Sequence, residues 1–253
     1  MRINFYIDDN RFIAGTTMRD ERDPEEGNMA LHTCRNRSDV LENRKTLART
    51  LECSPDDFVC ANQTHGSNFQ RVGSAEKGRG AFEAESSIAD TDALYTFEPG
   101  LLLCCFTADC VPLIFYEEDS GATGVIHSGW AGTVQEITLK VFRHLIERED
   151  CDPKSFHVMI GPAVSQKNFE VDEDVYAKFH SLGYAEEFIY YNEKTRKYHI
   201  DNQLTVKRQC EIAGIPPEHV TIDRTCTLDS PQGFSYRRDK STGRHMSFII
   251  KKY

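Results

Sequence analysis

The segment between residues 101 and 148 constrains the fold most strongly, because strand, turn and helix patterns follow one another closely there. Apolar runs predict three buried strands, at Leu101–Thr107, Val111–Tyr116 and Ala122–His127. The short glycine-rich segment that comes next leads into a predicted helix. That helix is expected to begin near Thr133, which forms a capping-box pattern with Glu136, and to end near Arg148. Strands joined by hairpins and followed by a helix indicate an α/β fold whose sheet is not purely parallel.

Similar patterns extend through the rest of the 253 residues. Helices are predicted at Ser38–Glu52, Asp172–Leu182 and Asn202–Ala213. Strands are predicted at His157–Ile160 and Val220–Asp223, with a closing pair at Phe234–Arg238 and Met246–Lys251. The expected fold class is therefore α/β, as a single layered domain over residues 1–253 with mixed β-sheets flanked by helices.

Charge, terminal sequence and cysteine content indicate which partners and which cellular compartment to expect. The net charge of -10 opposes loose binding to nucleic acid or to anionic lipid, so neither is expected as a partner. The first 15 residues lack the pattern of a signal peptide, and no apolar run is long enough to cross a bilayer, which predicts a cytoplasmic protein. Nine cysteines are an odd number, and in such a setting we expect free thiols rather than a disulfide framework.

Three residues lie at positions suited to metal binding. His65 is in a polar turn, Cys110 lies between two predicted strands, and His127 ends the third strand. Two imidazoles and a thiolate form a three-ligand set with an open fourth position, which is typical of catalytic zinc. Their spacings match no short zinc-finger pattern, so the residues alone leave a structural role open. Asp109, beside Cys110, is a candidate proton acceptor or a carboxylate that caps a turn.

Six short motifs are distributed along the chain: Q-T-H-G (63–66), T-D-A-L (91–94), T-A-D-C-V-P (107–112), H-S-G-W-A-G (127–132), F-S-Y-R-R-D (234–239) and T-G-R (242–244). With these motifs the chain resembles the YfiH-type laccase-domain family, once labelled polyphenol oxidases and later given purine nucleoside activities. The resemblance spans nearly the whole chain and is strongest at T-A-D-C-V-P and F-S-Y-R-R-D. It implies a layered α/β fold with mixed sheets, and it assigns the metal ligands to His65, Cys110 and His127. Ala131 stands where the family often has arginine.

The resemblance implies a zinc-dependent purine nucleoside phosphorylase, with adenosine deaminase and methylthioadenosine phosphorylase activities alongside. Purine nucleosides and phosphate are then the expected small-molecule partners, with Asp109 and Cys110 as catalytic residues. The candidate substrate-binding residues are Arg44, Gln63, Arg237 and Arg238. Arginines also form structural ion pairs, and strand alternation would send Arg237 and Arg238 to opposite faces. The N-terminus of the helix near Thr133 is a further candidate anion site.

Three other functions stay open. Copper binds His/Cys sites tightly, so copper is an alternative metal and polyphenol oxidation an alternative activity. Multicopper oxidases characteristically use His-x-His pairs, however, and none of the nine histidines forms one. Cys110 and His127 could instead form a thiolate–imidazolium dyad of a hydrolase that acts on an amide or acyl substrate. A metal-dependent binding or adaptor protein is the third alternative.

Overall fold

Two mixed β-sheets pack face to face in the computed structural model, which describes residues 1–253. The strands are β1 (Arg2–Asp8), β2 (Phe12–Met18), β3 (Phe58–Cys60), β4 (Phe69–Arg71), β5 (Ala93–Thr96), β6 (Leu102–Thr107), β7 (Val111–Glu117), β8 (Thr123–Ser128), β9 (Phe156–Ile160), β10 (Glu170–Val171), β11 (Ile189–Asn192), β12 (Lys197–Ile200), β13 (Val220–Ile222) and β14 (His245–Lys251). The helices are α1 (Arg37–Thr50), α2 (Trp130–Val134), α3 (Ile137–Arg148), α4 (Glu173–His180) and α5 (Asn202–Ile212).

The strand order confirms the predicted mixed α/β class. The first sheet has the order β1-β2-β14-β6-β3 and the second has the order β13-β9-β7-β8-β5-β4, each with parallel and antiparallel pairs. A small third sheet, β10-β12-β11, lies apart from these two. The predicted hairpin of β7 and β8 is present, with Val111 opposite Ser128 and Pro112 opposite His127.

Strand β6 shows why an unbroken apolar run was needed. Leu102, Cys104 and Phe106 belong to the core that packs on α1. Leu103 and Cys105 point the other way, into the core between the two sheets. Because side chains alternate along a strand, a strand that is covered on both faces is apolar at every position. On the far side of the second sheet, α3 and α5 cover a third core, which gives a layered order of helix, sheet, sheet, helices.

The predicted start of the helix near Thr133 is wrong. Two helices, α2 and α3, occupy this region, and Glu136 between them has a left-handed φ of 59°. Thr133 lies inside α2, where its hydroxyl donates to the carbonyl of Gly129, so the expected capping box does not form. The helix N-terminus beside His127 is therefore that of the five-residue α2, which begins at Trp130.

The predicted strand at Phe234–Arg238 is also wrong. This segment is irregular, because its polar groups bond to side chains rather than to a neighbouring strand. The amide of Phe234 donates to Nε2 of His245, and the amide of Arg237 donates to Asp109. The predicted pairing with the last strand is replaced by pairing of β14 with β2 and β6.

Two expectations about composition can be compared directly with the fold. All nine cysteines are free thiols in this fold, and five of them are buried. None of the helices has both the length and the apolar character that a membrane crossing requires.

Candidate functional site

The structure brings the three candidate ligands together at one end of the β7–β8 hairpin. His127 is the penultimate residue of β8, and Cys110 lies in the turn before β7. His65 is in the loop after β3 and has a left-handed φ of 60°. The nitrogen and sulfur atoms that could bind a metal all lie within 4.8 Å of one another. The two imidazole rings meet edge to face, with centroids 4.7 Å apart.

Glycine at position 129 makes this close approach feasible. A Cβ atom there would lie 2.9 Å from Cδ2 of His65 and 3.1 Å from Sγ of Cys110. Both distances are shorter than comfortable carbon contacts, and the second involves the sulfur itself. Any side chain at Gly129 would therefore push the candidate ligands apart. The glycine-rich segment after β8 thus has a steric role in the site, beyond allowing α2 to begin.

Asp92, which sequence reasoning left without a role, holds two of the three candidate ligands. Its Oδ1 lies 2.7 Å from Nδ1 of His127 and accepts the amide of His65 at 3.0 Å. Its Oδ2 accepts the amides of Gly66 at 2.8 Å and Thr64 at 3.2 Å. Asp92 is only 2% exposed. The T-D-A-L motif includes this position. Asp92 is distant in sequence from its partners, however, so the motif did not indicate that they are in contact.

The candidate ligands polarise one another. Burial raises the pKa of Cys110, but the neighbouring His127 and His65 more than compensate and lower it to about 6. Burial lowers the pKa of His127, whereas Cys110 and Asp92 raise it to about 9. Burial likewise raises the pKa of Asp92, and its bonds to His127 and the amides of Gly66 and Thr64 bring it below its usual value. A thiolate beside an imidazolium is therefore the favoured charge state of the metal-free site.

The donor set fits a bound metal ion on chemical grounds. Two imidazoles and a thiolate are ligands that zinc and copper both accept. Because Nδ1 of His127 is engaged by Asp92, Nε2 is the nitrogen that remains for a metal. A carboxylate behind a histidine is the arrangement that fixes the ring orientation of metal-binding histidines. The His-Cys-His set can therefore hold a metal, whose identity the geometry leaves open.

Asp109, the candidate proton acceptor, has both carboxylate oxygens engaged in hydrogen bonds. Oδ1 accepts the hydroxyl of Thr227 at 2.7 Å. Oδ2 accepts the hydroxyl of Ser235 at 3.0 Å and the amide of Arg237 at 2.8 Å. Asp109 is buried and has a φ of 89°. Its contacts tie the turn that carries Cys110 to the irregular segment at 227–237.

A cavity of about 850 Å³ opens beside the candidate ligands. This volume is within the range of small-molecule sites. Four aromatic side chains contribute to its walls, and flat apolar rings suit the faces of a heterocyclic base. They are Phe106, Trp130, Phe169 and Tyr236. His32 also lines the cavity, where burial and two nearby arginines lower its pKa to about 4, so that its ring is neutral at physiological pH.

The lining of the cavity is cationic although the chain is acidic. Arg44, Arg237, Lys240 and Arg244 line it, and Asp109 is the sole carboxylate among the lining residues. None of the four cations forms a salt bridge, even though the chain contains 40 acidic residues. Sequence reasoning missed Lys240 and Arg244. The T-G-R motif marked Arg244, but nothing in its local sequence indicated that it would line the same cavity as Cys110.

The other candidate substrate residues have mainly structural contacts. Arg44 is 3% exposed, and its Nε and Nη1 donate to backbone carbonyls at positions 29, 80 and 81. The Gln63 side chain donates to the Phe106 carbonyl and accepts its amide, at 2.8 and 2.7 Å. Arg238 lies outside the cavity lining and donates to the carbonyls of residues 228, 230 and 233. Arg237 lines the cavity and packs over the ring of Phe169.

Comparison with known proteins places this arrangement in context. The chain is 32% identical over 246 residues to purine nucleoside phosphorylase YlmD of Bacillus subtilis. The matched region covers 95% of this chain and 88% of the relative. The crystal structure of hypothetical protein YfiH from Bacillus licheniformis superposes with a TM-score of 0.91 at 30% identity, over 98% of this chain and 99% of that one.

A further relative has a different name. Adenosine deaminase RL5, from an unknown prokaryotic organism, is 29% identical over 216 residues, which is 84% of this chain and 82% of the relative. A family profile described as multi-copper polyphenol oxidoreductase laccase matches residues 16–252. Because that match and the relative from Bacillus subtilis both extend over nearly the whole chain, the protein belongs to this laccase-like family.

Proposed function

We propose that this protein is a zinc-dependent purine nucleoside phosphorylase, with adenosine deamination and methylthioadenosine phosphorolysis as accompanying activities. The observation that carries the proposal is the position of the His-Cys-His set, beside a cavity that is both aromatic and cationic. Aromatic walls suit a purine base, and unpaired cations suit phosphate. The names of the relatives from Bacillus subtilis and the unknown prokaryote support nucleosides as substrates.

In phosphorolysis the bond between C1′ of the ribose and N9 of the purine breaks. The electron pair leaves with the purine, which takes up a proton, and a phosphate oxygen forms the new bond to C1′. Deamination instead replaces the 6-amino group by an oxygen from water and releases ammonia. A zinc ion, when bound, would supply Lewis acidity toward a substrate oxygen or water. The residues His65, Cys110 and His127 would hold it.

The remaining side chains position the reactants. Asp92 fixes the ring of His127 and the backbone at His65, so it orients two ligands at once. Asp109 is assigned a positioning role, because its oxygens already accept three hydrogen bonds from the protein. One of these comes from the amide of Arg237, so Asp109 holds that cation at the cavity wall. Cys110 acts as a ligand in this proposal rather than as a nucleophile.

One observation favours the alternative of cysteine catalysis. The metal-free site favours a Cys110 thiolate and a His127 imidazolium, which is the charge state of an activated nucleophile. A metal ion would engage the same sulfur and the same ring nitrogen. The two functions therefore exclude each other at this site. Removal of the metal should abolish activity under the zinc proposal and preserve it under the cysteine alternative.

The test is turnover of inosine and adenosine with and without phosphate, followed by chromatography of the products. We expect free base and ribose 1-phosphate, formed only when phosphate is present and lost after chelation. Restoring zinc should restore turnover, and copper serves as the comparison for metal identity. If fully demetallated protein keeps its activity and a thiol alkylator removes it, the dyad is correct and the zinc proposal is wrong.

Metal content gives an independent check. Elemental analysis should find about one zinc per chain in the purified protein. His127→Ala should lose that zinc, since the variant lacks one of three ligands. Full zinc occupancy in the double variant His65→Ala, His127→Ala would show that the metal lies elsewhere.

A further inference from the structure

Arg244 combines a fixed position with unused hydrogen-bond donors. It precedes β14, is half-buried, and lines the cavity together with Cys110 and His127. Its Nη1 donates to the carbonyls of Thr242 and Gly243, immediately before it in the chain. These bonds restrain the guanidinium from one side. Neither its Nε nor its Nη2 donates a hydrogen bond to the protein, in contrast to Nη1 and the backbone amide.

Nε and Nη2 together form the side edge of a guanidinium, which can grip two oxygens of one anion. Two arginines of this protein already use that edge for carboxylates. Nε and Nη2 of Arg19 bind the two oxygens of Glu26 at 2.8 and 2.9 Å. The same atoms of Arg22 bind Asp20 at 2.9 and 2.7 Å. In Arg244 this edge has no anion from the protein.

The other cations of the cavity lack a complete free edge. Arg44 uses Nε and Nη1 for backbone carbonyls, so both of its edges are interrupted. Arg237 uses Nη2 for the carbonyl of Glu170, and it is exposed. Lys240 is exposed and carries a single ammonium group, which cannot form a planar two-point contact. Arg244 is thus the one cavity cation with an intact edge and a restrained position.

The electrostatic setting of Arg244 agrees with an anion that the protein itself does not supply. Burial lowers the pKa of Arg244, and the nearby Cys110 and Asp109 only partly offset this. No carboxylate pairs with it, and both oxygens of Asp109 face other donors. A half-buried guanidinium without a counter-ion is costly unless an anion is bound. The guanidinium carbon of Arg244 lies over the Tyr236 ring, 5.9 Å from its centre, so the nearest aromatic neighbour is no counter-ion either.

We propose that Arg244 binds an oxyanion through Nε and Nη2 at the cavity wall beside Cys110. That this oxyanion is inorganic phosphate rests on the proposed function, whereas the binding itself does not. The phosphate group of a nucleotide has the same chemistry and is the alternative source. Sulfate, which presents similar oxygens, should bind in the same place.

The experiment is calorimetric titration of the zinc-loaded protein with inorganic phosphate, in the absence of a nucleoside. Arg244→Gln should weaken phosphate binding about tenfold to a hundredfold, which is the range for a charged hydrogen-bonded contact. Arg244→Lys keeps the charge but loses the two-point edge, and should fall between the wild type and Arg244→Gln. Arg238→Gln is the matched control, because it removes the same charge from the same segment outside the cavity.

Zinc content and thermal unfolding of each variant establish that the site is otherwise intact. Equal phosphate affinity in the wild type and Arg244→Gln, with zinc retained, would overturn the proposal. So would an equal loss in Arg238→Gln, since that would reflect net charge alone. If adenosine 5′-monophosphate binds in an Arg244-dependent way and phosphate does not, the oxyanion site stands while phosphorolysis fails. If phosphate binding depends on Arg244 but no nucleoside is cleaved, the proposed function again fails alone.

Discussion

Two buried aspartates, Asp92 and Asp109, stand near the same candidate ligands and have opposite roles. Asp109 is next to Cys110 in the chain, yet its carboxylate bonds to Thr227, Ser235 and the amide of Arg237. Asp92 is remote in sequence from both histidines, yet it contacts His127 directly and the amide of His65. The role of a carboxylate here follows from the direction in which the backbone presents it, not from its neighbour in the chain.

Sheet pairing explains the difference. Asp92 immediately precedes β5, whose antiparallel partner β8 brings His127 alongside. The amide of His127 even donates to the carbonyl of Asp92, at 2.7 Å. On its other side β5 pairs with β4, which brings the loop carrying His65 to the same end of the sheet. Asp109 lies in a turn with positive φ, which sends its side chain to the 227–237 segment instead.

The largest effect should follow the loss of the Asp92 carboxylate. Asp92→Ala leaves the amides of residues 64–66 and Nδ1 of His127 without their acceptor, so two metal ligands lose their orientation. We expect zinc affinity to fall about a hundredfold, the upper end for partners behind a metal ligand. Competition with a chromophoric chelator measures this. Asp90→Ala is the control, because Asp90 bonds to the same loop but contacts no ligand; an equal loss there would end the distinction.

Asp109→Asn should have the reverse profile. It places an amide nitrogen or a weaker acceptor against three donors in a buried setting, which should cost about 2–3 kcal/mol of unfolding free energy. For a chain of this length that lowers Tm by several degrees, roughly 2–4 °C for each kcal/mol. Zinc affinity should change by less than about threefold. Chemical denaturation and chelator competition separate the two effects, and a loss of zinc as large as in Asp92→Ala would make Asp109 part of the metal centre.

The sequence predicted much of this region because the relevant signals were local. The apolar runs around β6, β7 and β8 gave the hairpin that brings Cys110 to His127, and most helices agree with their predicted spans within two residues. The sequence-based predictions failed where the conformation or the contacts of a single residue override the local sequence pattern. Glu136 interrupts the helix through a left-handed φ, and Phe234 pairs with the His245 ring rather than with a strand. Asp92 could not be assigned because its contacts cross long chain separations. Arg244 could not be assigned because the cavity that it lines is formed by residues distant in sequence.

A third prediction uses the pH dependence of stability to separate the region around Asp109 from the region around Asp92. His245 is fully buried and accepts the amide of Phe234, in the segment that Asp109 anchors. Burial lowers its pKa from 6.5 to about 4, so the unfolded chain takes up a proton first as the pH falls. Its contribution to stability is complete above about pH 6.5 and is lost between that pH and about 4. At pH 5.5 the loss is about 1.4 kcal/mol.

His245→Gln removes the titrating group while keeping one donor and one acceptor. We expect a less steep fall in the free energy of unfolding between pH 6.5 and 4.5 than in the wild type, measured by urea denaturation at each pH. Asp92→Ala should keep the steep wild-type dependence of the unfolding free energy on pH, because this substitution perturbs the region around the metal ligands and not the region around His245. Identical slopes in the wild type and His245→Gln would mean that folding does not lower the pKa of this histidine.

The smallest effect should come from Thr64, at the edge of the Asp92 contacts. Its hydroxyl bonds to Asp90 at 2.7 Å and lies 3.3 Å from Oδ2 of Asp92. Thr64→Val keeps the shape and the amide bond to Asp92 but removes that hydroxyl. Because residue 64 is exposed, water can replace the lost bond, and the cost should be about 0.5 kcal/mol with zinc affinity changed by less than about twofold. A tenfold loss of zinc affinity would show that the orientation of Asp92 depends on this hydroxyl as well as on the three amides.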